Sequence, residues 1–130
     1  MRFSDYAVQP SWKNHKKSNL VGANLIARDR LLRIYEIVSV LGYADTLEIF
    51  ADRFLNLELK SVEWFLAGHT RKLNPNTVDY LQSKLVMVRN TTADEVANAA
   101  DIDQFNRAKS LYNLVQLAFD YLDEFRKKLG

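Results

Sequence analysis

Acid–base or metal chemistry needs carboxylates, histidines or thiols held together, and this sequence offers few candidates. Asp94-Glu95 and Asp123-Glu124 are paired carboxylates. Each pair falls at a predicted helix start or on an exposed helix face, where capping and solvation are the ordinary roles. His15 and His69 lie far apart with no third ligand in view, so no metal site is expected. The absence of cysteine excludes a thiolate zinc site, a cysteine nucleophile and a disulfide framework. No phosphate-binding glycine loop and no Gly-x-Ser-x-Gly element occur, and the four glycines read as helix punctuation or chain end. The expectation is a protein that is not an enzyme and takes no cofactor. What remains is a set of basic and hydroxyl side chains: Lys60 and Ser61, the loop His69-Thr70-Arg71-Lys72, and Lys16 with Lys17 in a basic front end. Such groups neutralise and hydrogen-bond the oxygens of a polyanion.

Charge is placed unevenly. The net charge is only +2, yet residues 1–33 hold seven basic side chains against two acidic ones, a net of +5, leaving −3 on the rest. That asymmetry fits a front end that meets a polyanion, or equally a solvated tail. At 130 residues with 48% hydrophobic content, one globular domain with an appendage is expected. No apolar run reaches the ~20 residues of a membrane helix, and residues 1–17 have no apolar signal core. A soluble, cytoplasmic protein with no membrane partner is the expectation.

The elements that position these groups read as helices. Residues 1–23 form a basic arm whose Phe3, Tyr6, Val8 and Trp12 dock either on the body or on a partner. A first long helix is predicted over about 24–41, with an apolar stripe through Leu25, Leu31, Leu32, Ile34, Tyr35, Ile37, Val38 and Leu41 and a stop at Gly42. Asp45-Thr46-Leu47-Glu48 has the form of a capping box with Asp45 as the cap. It opens a helix over 45–54 that buries Leu47, Phe50, Ala51 and Phe54. Leu55-Asn56-Leu57 is the predicted turn, where Asn56 caps the next helix or takes a left-handed conformation. A helix over 58–67 buries Leu59, Val62, Phe65 and Leu66 and turns Lys60, Ser61, Glu63 and Trp64 outwards or sideways. Gly68 ends it, and Asn74-Pro75 starts the next helix.

Ser61 to Gly68, the basic loop, and Asn76 to Leu85 resemble the lambda-repressor-like (Cro/C1, XRE-type) helix-turn-helix family over about residues 28–100. Two departures stand out. The family usually has glycine in the turn where Leu55 and Asn56 stand here, and the stretch from Ala51 to Val62 is one residue longer than usual. The resemblance implies double-stranded DNA as partner. It also implies base-edge contacts from Leu59, Lys60, Ser61 and Trp64, and phosphate contacts from His69, Thr70, Arg71 and Lys72. Lys16 and Lys17 add to these from the arm. Glu58 and Glu63 beside a single Lys60 are poor electrostatics against phosphate unless a glutamate accepts from a cytosine amino group.

Thr92-Ala93-Asp94-Glu95 reads as a second capping box that opens a short helix to about Ala100, and Asp101 to Gln104 repeats the signal. A last helix of about 40 Å would come next, to about Lys128. Its Leu111, Leu114, Val115, Ala118, Tyr121, Leu122 and Phe125 approximate a heptad seam and are assigned to a dimer interface. The whole is an all-α chain: a basic arm (1–23), a helix-turn-helix domain of about five helices (24–100) and a long C-terminal dimerisation helix (101–130). It would act as a homodimeric, repressor-like transcriptional regulator on half-sites about one helical turn apart. The alternative is a helical interaction module, antitoxin-like, inhibitor or adaptor, that binds a protein partner.

Overall fold

A computed structural model describes residues 22–69 and 73–129. The fold is all-α, with five helices and no strand among the described residues. Helix α1 is Gly22–Val40, α2 is Leu47–Phe50 and runs on into a π-helical turn at Ala51–Leu55, α3 is Leu59–Leu66, α4 is Pro75–Ala97 and α5 is Ile102–Leu129. None of them is long and apolar enough to cross a membrane.

Helix α5 packs along both α1 and α4, and α2 with its π-helical turn lies against α1 and α4. The direction of α5 against α1 is fixed by two contacts: Arg30 bonds Glu124, and the Arg33 guanidinium lies 5.8 Å from the centre of the Tyr121 ring. Three residues forward on α1 are three residues back on α5, so the two helices are antiparallel. Asp29 braces the same surface, accepting from Arg30 and, at 2.8 Å, from Arg33. On its other flank α5 meets α4, where Arg126 reaches Asp79 and Gln82 and Arg89 lies 4.6 Å over Phe119.

This geometry corrects the assignment of the heptad seam. Val115, Ala118, Leu122 and Phe125 lie in the same core cluster as Leu31, Ile34, Val38, Leu81 and Leu85. Tyr121 is half-buried beside Arg30 and Arg33, and Leu111 and Leu114 are half-buried. The chain's own α1 and α4 fill the seam, so its central residues are not free for a second copy. The C-terminal helix is thus built into the core rather than appended to it.

Two start signals also resolve differently. Thr46, not Asp45, caps α2: its backbone is extended and its hydroxyl accepts from the Ile49 amide at 3.2 Å. The Thr92 box starts nothing, because α4 runs through it to Ala97. Thr92 is buried, and its hydroxyl bonds back to the carbonyls of Val88 (3.2 Å) and Arg89 (3.0 Å), as a threonine inside a helix does. The Asp101 signal is used. The Asp101 carboxylate accepts from the Gln104 amide at 2.8 Å, while the Gln104 side chain accepts from the Ala100 amide at 2.9 Å. Gly42 stops α1 with φ of 90°; nothing lies within 4 Å of the position a Cβ would take, so the backbone angle and not space calls for glycine.

Phe125→Ala should therefore cost about 3–5 kcal/mol of unfolding free energy, and Leu111→Ala far less. Urea denaturation of the two variants decides it: equal, small losses would mean that α5 is not the core helix described.

Candidate nucleic-acid interface

Helix α2, the turn and α3 are held by apolar contacts on one side only. Phe50 is fully buried between Tyr35, at 5.4 Å, and Phe54, on which it stacks at 5.6 Å. The Tyr35 hydroxyl reaches the Asp45 carbonyl at 3.4 Å, just before the Thr46 cap. Ala51, the first residue after α2, is fully buried.

The chain then does two things at once. Ala51–Leu55 winds as a π-helical turn, and Asn56 comes next at φ 55°, ψ 43° with its side chain exposed. A π turn takes one more residue per hydrogen-bonded loop than an α turn. Asn56 takes the left-handed conformation for which glycine is the usual choice; asparagine tolerates it better than other side chains do. The Asn56 amide makes the π-type bond to the Ala51 carbonyl, and the Leu57 amide bonds the same carbonyl at 2.9 Å.

Helix α3 turns Val62, Phe65 and Leu66 into the core, and the Phe65 ring meets the edge of Phe125 at 6.2 Å. Its C-terminal end is tied to α1: Arg28 donates to the Leu66 carbonyl at 2.6 Å, and burial lowers the guanidinium below the usual arginine range. The apolar stripe legible in the sequence does not include Arg28 and does not by itself reveal this anchor. The only signal is its position next to Ala27, on the edge of the apolar stripe. Gly68, at φ 86°, turns the chain away, with the His69 amide bonded to the Trp64 carbonyl at 3.0 Å.

Of the residues expected to touch a ligand, Lys60 and Ser61 are exposed on α3. Trp64 is 51% exposed and packs at 4.2 Å against the exposed His69 ring. Leu59 is half-buried against the core. Lys60, Ser61 and Trp64 share a groove of about 350 Å3 with Leu73 and Asn74 at the start of α4. Thr70, Arg71 and Lys72 lie outside the described residues, as do Lys16 and Lys17. The flanking charge is mixed. A groove of about 730 Å3 on the α2 side is lined by Glu48, Asp52 and Glu58 as well as Arg53 and Lys60. Among the described residues no cluster of carboxylates and histidines could hold a metal ion. Comparison of the chain with protein families, with curated proteins and with solved structures finds no match.

Two measurements check this local geometry. Asn56→Gly should leave stability within about 0.5 kcal/mol, whereas Asn56→Ala should lose about 1 kcal/mol, since a Cβ in left-handed backbone is strained. A reversed order in urea titrations would exclude the left-handed turn. Tyr35 tests the α2 end by pH. Burial, and then the Asp45 carboxylate, push its hydroxyl above the usual 10.0. Its contribution to stability is whole below that value and is lost as pH rises through the raised one, because the unfolded chain ionises first. Tyr35→Phe should accordingly show a shallower alkaline loss of stability than the parent above pH ~10; identical slopes would mean that Tyr35 is solvated.

Proposed function

We propose that the chain binds double-stranded DNA, with α3 laid in the major groove and α2 lying across its N-terminal end. One observation carries the reading. Two short helices are joined through a π-helical turn that buries Ala51 and through a left-handed residue, and the second is anchored by three core side chains while Lys60, Ser61 and Trp64 stand free of the core. Those features support a helix-turn-helix reading. Lys60 and Ser61 are the base-edge candidates, and Trp64 offers an apolar face to a thymine methyl.

The position of α1 supports the same reading. Its Arg28 touches the last turn of α3, and Gly22 lies six residues back, about 9 Å along the helix. Residues 1–21 carry Arg2, Lys13, Lys16 and Lys17 against Asp5 and come directly before α1 in the chain. Arg71 and Lys72 come directly after α3 in the chain. Phosphate contacts would come from these two basic segments, since Lys60 alone does not offset Glu58 and Glu63.

A second reading, capture of a basic protein surface, is favoured by the groove in which Glu48, Asp52 and Glu58 outnumber Arg53 and Lys60, and by the half-exposed Trp64 in the neighbouring groove. Binding of the full chain to a random duplex, monitored by fluorescence anisotropy, separates the two. Affinity should fall by about tenfold or more between ~50 and ~200 mM salt. Lys60→Ala/Arg71→Ala/Lys72→Ala should weaken it further with the melting temperature unchanged. No duplex binding at the lower salt by the folded protein, or an unaffected triple variant, would favour the protein partner.

A further inference from the structure

The exposed large apolar side chains include two that sit one turn apart at the free end of α5: Ile102, 67% exposed, and Phe105, 39% exposed. Among the described residues no third helix lies beside this end. The pairings Arg30–Glu124 and Arg33–Tyr121 put Val40, where α1 stops, level with about residue 114 of α5. From there to Ile102 the helix has, among the described residues, only α4 for company, and every residue from 101 to 107 is exposed.

The stripe through Phe105 has a particular charge order. Positions four apart on a helix lie above one another, so Asp101, Phe105 and Lys109 share one line with Ile102 alongside. Read in one direction the line is acid, ring, base; read in the other it is base, ring, acid. A surface of that order is complementary to itself under a two-fold axis, because each residue i then faces j and each j faces i. We infer that the free end of α5 is a contact between two copies of this chain, crossing antiparallel at Phe105. The two rings meet near the axis, each Asp101 faces the other copy's Lys109, and Ile102 covers the rim. The Lys109 ammonium lies 5.4 Å over the Tyr112 ring, one turn further along α5. This replaces the heptad seam as the site of self-association, and it rests on α5 alone, not on the DNA reading.

One helix crossing buries less than the ~800 Å2 per partner of a stable interface, so association in the micromolar range is expected. Sedimentation velocity of the full chain without DNA tests the proposal. The mass should rise from the 15.1 kDa of one chain towards twice that by about 500 µM. Phe105→Arg should abolish the rise, and Lys109→Glu should weaken association about tenfold or more. Asp101 caps α5, so Asp101→Lys alone has a second effect. The informative variant is the double swap Asp101→Lys/Lys109→Glu, which reverses the stripe and should restore association, with circular dichroism melts confirming that each variant is folded. A chain that stays monomeric at that concentration overturns the proposal, as does a dimer indifferent to Phe105→Arg and Lys109→Glu; either leaves the stripe to a different protein. Neither result bears on duplex binding, which is read separately through Lys60, Arg71 and Lys72.

Discussion

An eight-residue helix does not hold itself in water. Nucleation is too costly, and the few hydrogen bonds of α3 do not repay it. Helix α3 exists because its apolar side is clamped: Val62, Phe65 and Leu66 are buried, Phe65 meets Phe125, and Arg28 holds the Leu66 carbonyl. Everything that α3 could present to a ligand depends on that clamp. The clamp in turn depends on α5 lying between α1 and α4, because Phe125 comes from α5. The long C-terminal helix is therefore a condition of the candidate interface, although its outer face lies elsewhere.

The π turn arises from the same constraint. Ala51 and Phe54 on one side of the turn and Val62 on the other are all buried. The wide turn that joins them carries weaker hydrogen-bond geometry than an α turn. The left-handed Asn56 then redirects the chain.

Helical character and the inward faces are legible in the sequence because they rest on local periodicity. The spacing of Leu47, Phe50, Ala51 and Phe54 marks them as buried, and they are. Asn56 is legible for its tolerance of positive φ. Capping motifs are less secure. Thr92-Ala93-Asp94-Glu95 has the right letters, but Val88 and Thr92 lie on one continuous buried face, and tertiary burial overrides a local start signal. The apolar stripe of α5 is visible, but its partner is not: periodicity states that a face is covered, never by what. Val115 and Phe125 look identical whether α1 or a second copy lies against them. The Arg28 anchor is illegible for a related reason, since it joins residues 38 positions apart.

The boundary between the two uses of α5 is set by the length of α1. Where α1 runs alongside, the stripe is core; beyond Val40, the helix carries charge and isolated apolar groups instead. Placing a two-fold axis near Phe105 has a consequence for DNA. Phe125, beside α3, is twenty residues from Phe105, about 30 Å along the helix. Two copies lying antiparallel then hold their α3 helices about 60 Å apart, nearer two turns of B-DNA than the single turn of about 34–36 Å expected from the sequence. Half-sites one turn apart would need the arms to fold sharply across each other, which a continuous α5 does not allow. If both proposals hold, the two readings constrain each other through one helix: its core half fixes α3, and its free half fixes the distance to the next α3.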